Sequence, residues 1–168
     1  MEEPILNKPN KDYCAPVHTT EHILNRTMDN MFHCGRAFSA HIELKKSKCD
    51  YHFAADSVPT EEQLKAVEEK VNEVIKQNLP VTTEIVKRKE AASKFDLSRL
   101  PEEAGEYLRL VHVGDYDVCP CIGEHAENTS EIESFRIVSS SYDDGVFRLR
   151  WKAVPSAQKN VMSANKSE

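Results

Sequence analysis

Two short segments of the chain hold residue types and spacings suited to binding a metal. His18-Thr19-Thr20-Glu21-His22 sets two imidazoles four residues apart, and Cys121-Ile122-Gly123-Glu124-His125 sets a thiol and an imidazole at the same offset. On a helix, positions i and i+4 project from one face. His18 and His22 can then aim two nitrogens at one ion, at the roughly 2.0–2.1 Å of a zinc–nitrogen bond. Sulfur together with imidazole suits zinc better than calcium or magnesium. Either motif alone reads equally well as ordinary polar surface. Together they give the expected ligand set His18, His22, Cys121 and His125, with Zn2+ as the expected ion. Cys119-Pro120-Cys121 offers two sulfurs, and the matching four-residue offset favours Cys121. Four protein ligands are also the pattern of a structural zinc site, whereas a catalytic one keeps an open position. Either one of the four stays outside the shell, or coordination expands to five.

These motifs must be held by a small number of elements. A chain of 168 residues with 39% apolar and 30% charged residues suits one compact domain and is not a disordered sequence. Residues 1–12 read as a polar lead-in, 13–154 as a single domain, and 155–168 as a polar C-terminal tail. Pro16 followed by Leu24, Met28 and Met31 predicts a helix over 16–32, ended by Gly35, so the first motif lies in its opening turns. Alternation through Phe38, Ala40, Ile42 and Leu44, then Cys49, Tyr51 and Phe53, predicts a hairpin with a basic tip at Lys45-Lys46-Ser47-Lys48. Thr60 and Gln63 match a capping box, and Leu64, Val67, Val71, Val74 and Ile75 form the buried stripe of a helix that Pro80 stops.

A strand is predicted near 81–86, a charged helical turn or two over 87–95, a loop over 98–106 and a strand over 107–113. Residues 114–130 read as a loop carrying the second motif. Strands over 135–141 and 146–153 are joined by Asp143-Asp144-Gly145, a strong hairpin turn. Short turns between consecutive strands predict an α+β fold, a largely antiparallel sheet with helices packed on it.

Charge and cysteine content narrow the function classes. The net charge of −6 counts against non-specific nucleic-acid binding, which runs on clustered Lys and Arg. Local basic groups remain at Lys45, Lys46 and Lys48, at Lys87, Arg88 and Lys89, and at Arg148, Arg150 and Lys152, where a solvated face is the simpler reading. No apolar run approaches the roughly 20 residues of a membrane span, so no membrane partner is expected. Met1-Glu2-Glu3-Pro4 lacks the basic start of a secretory signal, which makes the cytoplasm the expected location. The odd count of five cysteines then argues for thiols over a disulfide framework.

His-Thr-x-x-His opening a helix, paired downstream with Cys-x-x-x-His, resembles the signature of the editing domain of alanyl-tRNA synthetases. The same domain occurs in the free-standing AlaX trans-editing proteins, and a related one in threonyl-tRNA synthetases. Ile23-Leu24 after the first motif fits the resemblance. The run CIGEH-AENTSEI is similar to the family's Cys-Gly-Gly-Thr-His followed by Thr-Gly-Glu-Ile. Gly35-Arg36 leading to Ser39-Ala40-His41-Ile42, Gly105-Glu106-Tyr107 and Gly145-Val146-Phe147-Arg148 fit as well, so the likeness runs from about residue 13 to 153. Ile122 and Glu124 depart from the family's glycine and threonine, Ser130 from a glycine, and Cys119 stands where relatives often carry an acid.

The resemblance implies a two-layer editing-domain sandwich and zinc-dependent hydrolysis of the ester on a mischarged tRNA, with serine or glycine on alanine tRNA as the expected substrate. Under this reading Glu21 is the candidate proton acceptor, against its reading as an exposed carboxylate favoured by the helix dipole. Glu124 is a second candidate. His41, Thr19 and Glu124 are candidate substrate contacts, and Lys45, Lys46, Lys48, Arg148 and Arg150 candidate contacts to the tRNA. Two rival readings stay open. His18-x-x-Glu21-His22 also matches the inverted zincin string of metallopeptidases, which normally take a distant glutamate as third ligand. Alternatively, the zinc staples a non-catalytic tRNA-binding module.

Overall fold

The computed structural model describes residues 14–95 and 106–156. Helix α1 spans Ala15–Phe32, strands β1 and β2 span Ser39–His41 and Ser47–His52, and helix α2 spans Glu61–Lys76. Strand β3 (Val81–Lys87) and the short helix α3 (Arg88–Ala92) follow, then β4 (Tyr107–Val113), β5 (Asp117–Pro120), β6 (Ile132–Asp143) and β7 (Val146–Pro155). The strands form two antiparallel sheets, β1-β2-β7-β6 and β3-β4-β5. Helices pack against them, so the fold is α+β, as the periodicities predict.

The core sits between the four-stranded sheet and the two long helices. Period-2 alternation turns Cys49, Tyr51, Phe147, Leu149, Trp151 and Ala153 inward, where they meet Val17, Ile23, Leu24 and Met28 of α1 and the whole predicted stripe of α2. Two side-chain amides, buried Asn25 and half-buried Asn72, lock helices to strands. Asn25 Oδ1 accepts from the Tyr51 hydroxyl at 2.9 Å and the Ala37 N–H at 3.0 Å. Asn72 accepts from the Phe135 N–H and donates to its carbonyl, both at 2.8 Å, so a side chain acts as an added strand edge. The capping box forms in full: Gln63 N–H donates to Thr60 Oγ1 and Thr60 N–H to Gln63 Oε1.

Several boundaries differ from expectation for local reasons. His33, not Gly35, takes the left-handed position after α1, at φ 54°, and its N–H returns to Asp29 O. Gly35 follows one turn on, donating to Asp29 Oδ1. Met31 lies outside the buried face of α1. The turn between β6 and β7 has positive φ at both Asp144 and Gly145, the requirement of a tight type I′ hairpin. Strand β7 runs through Pro155, and Ser156 N–H donates to Glu131 O, so the start of the expected tail belongs to the sheet. The expected loop at 98–106 lies almost wholly outside the described residues.

The chief correction falls within 114–130. Asp117–Pro120 is not loop but β5, paired with β4 from Leu110↔Pro120 to Val113↔Asp117. Its four residues are too few to show alternation, and Pro120 suits only a sheet edge. This strand carries the second motif to α1.

Candidate metal centre

Helix α1 presents His18 and His22 from its opening turns, and the chain leaving β5 presents Cys121 and His125. One donor atom from each of these four residues lies within 4.8 Å of the other three. His18 Nε2 stands 3.4 Å from Cys121 Sγ. A tetrahedral zinc with ordinary nitrogen and sulfur bonds would separate such a pair by about 3.6 Å. The His18 and His125 rings stack with centroids 4.2 Å apart, and both meet His22 edge-on. His125 Nε2 is buried with no hydrogen-bond partner. An orphaned imidazole nitrogen in a cluster of soft donors is what a zinc ligand looks like before the ion is placed, so the donor set fits zinc.

Electrostatics distinguishes the two candidate sulfurs. Burial alone would raise the Cys121 thiol, but the His22 charge and hydrogen bond outweigh it and bring the thiol below its ordinary value. Cys119 is pushed up, chiefly by burial, and its Sγ turns to Pro120 O at 3.4 Å. Of the two sulfurs, Cys121 is therefore the one that more readily gives up its proton. Burial opposes charge on His22 as well, yet Cys121 and Asp117 together push it up to about 10. Burial and the neighbouring cations drive His125 far below the ordinary imidazole value, so it is neutral and free to ligate.

Four residues that hold the cluster are not among the site residues expected from the sequence. Asp117, fully buried, accepts from Arg36 Nη1 and Nη2 at 2.9 and 3.1 Å and from Arg26 Nε at 3.0 Å, and lies 3.4 Å from His22 Nδ1. Arg109 Nε donates to Cys121 O at 3.1 Å and its Nη2 to Gly123 O, clamping the ligand segment from beneath. The four come from positions spread over 91 residues, Arg26 to Asp117, which only the fold gathers.

The other expected site residues are placed as follows. Glu21 is not the exposed carboxylate of its simpler reading: it is 4% exposed, Oε1 lies 3.4 Å from His18 Nε2, and Oε2 is buried without a partner. Thr19 is fully buried and its hydroxyl touches His125. Glu124 contributes its main-chain carbonyl, which accepts from His18 Nδ1 at 3.2 Å. His41, with its side chain 52% exposed, pairs with Glu43 at 2.7 Å. It shares the outward face of the four-stranded sheet with Lys48 and Arg150, away from α1. On that face Arg148 commits its guanidinium to Asp50 at 2.8 and 2.9 Å. Lys45 and Lys46 are exposed in the β1–β2 turn.

Residues 108–150, which include Cys121 and His125 and run from β4 into β7, match the family described as the threonyl and alanyl tRNA synthetase second additional domain. The chain is also 30% identical, over 92% of its length, to an alanine–tRNA ligase of Oceanobacillus iheyensis, and 36% identical, over 90%, to one of Streptococcus mutans. An alignment over 92% of a 168-residue chain necessarily takes in both metal motifs. The chain belongs to the family of this second additional domain. It spans 17% of the length of either ligase, so it corresponds to one domain of those proteins. Within the domain, the third and fourth donors come from a Cys-x-x-x-His segment and not from a distant glutamate, which separates the centre from that of inverted zincins. No described helix is long and apolar enough to cross a membrane.

Proposed function

We propose that this second additional domain hydrolyses the ester joining a wrongly attached amino acid to the 3′ end of a tRNA, with serine or glycine on alanine tRNA as substrate. The observation that carries the reading is the buried, unpartnered Oε2 of Glu21 beside four converging donors, in a domain shared with alanine–tRNA ligases. Zinc, when bound by His18, His22, Cys121 and His125, supplies Lewis acidity toward the ester carbonyl. Glu21 accepts the proton of the water that attacks the carbonyl carbon and returns it to the departing ribose oxygen, leaving free amino acid and uncharged tRNA. Burial keeps that carboxylate out of competition with bulk water. Exposed Lys45 and Lys46, with half-buried Lys48 and Arg150, are proposed to meet the tRNA backbone at a distance from the ester.

One observation favours a second reading. Four protein donors can fill a tetrahedral shell, the arrangement of a structural zinc that would staple α1 to the segment after β5. The assay that separates the two is release of serine from serine-charged alanine tRNA, with and without a chelator, against alanine-charged tRNA. Chelator-sensitive release of serine alone is the expected result. No release by protein shown to carry zinc rejects hydrolysis of this substrate and supports the staple.

A further inference from the structure

We propose that Thr19 and Asp117 are positioning residues that, with the Glu124 main-chain carbonyl, fix the tautomers of all three histidines so that their Nε2 atoms converge on one ion. The inference rests on the zinc reading above and adds the residues that prepare the ligands.

Each imidazole has two nitrogens, and the partner of the outer one decides which faces the metal. For His18 the outer partner is the Glu124 carbonyl, 3.2 Å from Nδ1, which can only accept. Nδ1 therefore carries the proton. For His22 the partner is Asp117, whose oxygens already take three guanidinium N–H groups and which faces Nδ1 as an acceptor. For His125 the partner is the Thr19 hydroxyl, 3.0 Å from Nδ1. A hydroxyl has one proton, and this one goes to Ala15 O at 3.1 Å. Its lone pairs take the Ala126 N–H at 3.0 Å and, by elimination, the His125 Nδ1–H. In His18 and His125 the outer nitrogen is held by a hydrogen bond and Nε2 faces inward; in His22, Nδ1 faces the Asp117 carboxylate at 3.4 Å, and Nε2 faces inward as the carboxylate draws the remaining proton outward once an ion takes the other.

The partners are exchanged between segments. The histidines of α1 are oriented by β5 and by the segment after it, and the histidine of that segment is oriented by α1. Docking of the three-stranded sheet on α1 thus assembles the ligands and sets their proton positions in one event. Thr20 supplies the internal comparison. It is as buried as Thr19 and back-bonds the same way, to Pro16 O at 2.8 Å, and no histidine contact with its hydroxyl appears among the described residues.

The test is zinc affinity of the full chain by chelator competition. Thr19→Val and Asp117→Asn are expected to weaken binding about 10–100-fold. Thr19→Ser should restore it, and Thr20→Val should match wild type. Long-range proton–nitrogen correlation on the zinc-loaded wild type should show His125 ligating through Nε2 with Nδ1 protonated, and needs no variant to fold. Wild-type affinity in folded Thr19→Val, an equal loss in Thr20→Val, or His125 ligating through Nδ1 overturns the proposal. A wild-type chain that binds no zinc overturns the metal reading itself, which is a different result from zinc binding insensitive to Thr19.

Discussion

Glu21 is the residue whose environment is hardest to explain by folding alone. Leaving a buried oxygen unpaired costs about 1–3 kcal/mol, and Oε2 has no partner. An apolar residue of similar size at this position would avoid that cost, so the carboxylate persists against stability, as groups held for chemistry do. Glu21→Gln keeps the shape and removes the basicity. The variant should melt no lower than wild type and hold zinc as tightly, while serine release slows about 10²–10⁴-fold. Melting curves, zinc content and single-turnover deacylation on one preparation check all three. An unchanged rate would take Glu21 out of the mechanism and leave the buried oxygen without a role.

At the scale of elements, chemistry and stability are divided between the two long helices. Helix α1 carries two ligands, Glu21 and Thr19, whereas α2 carries none and contributes its apolar stripe and Asn72. Removing the α2 cap with Thr60→Ala should cost about 1 kcal/mol in urea unfolding, with zinc affinity unchanged. Loss of zinc binding in that variant would show that the helices are coupled through the core. The same division governs what was legible in the sequence. The stripe and capping box of α2 follow from spacing, and every position of that stripe is buried. The four clustered donors were legible as candidates because each pair is local. Strand β5 was not, being four residues long, and with it Asp117 disappeared into an expected loop. Arg36 and Arg109 were hidden for a related reason: an arginine that clamps a distant carbonyl or carboxylate has no periodic signature. The Asp50 partner of Arg148 depends likewise on cross-strand register, which the hydrophobic pattern fixes only once the sheet exists.

For the molecule as a whole, the centre is a joint between layers. His18 and His22 belong to the helix packed on the four-stranded sheet, and Cys121 and His125 continue from the edge of the three-stranded sheet. Asp117 and Arg36 tie the same two parts by an ion pair, and Thr129, on the way from residues 121–125 to β6, anchors that segment to the end of α2, accepting from the Leu79 N–H and donating to Ile75 O, both at 2.9 Å. The contacts around Thr129 survive without metal, so stripping the ion should loosen the joint and leave the chain folded. Zinc at 100 times its dissociation constant adds about 2.7 kcal/mol, on the order of 5–10 °C in melting temperature for a domain of this size. Hydrogen exchange locates where that stabilisation resides. Chelation should release amides of β5 and residues 121–126 first, while β2, β6 and β7, buried against both helices, keep their protection. Uniform loss across both sheets would mean that the ion supports the entire core, and the structural staple would then be the better account of its presence. Loss confined to the joint leaves the ion at a place where the protein opens locally, which is where the proposed substrate would reach Glu21.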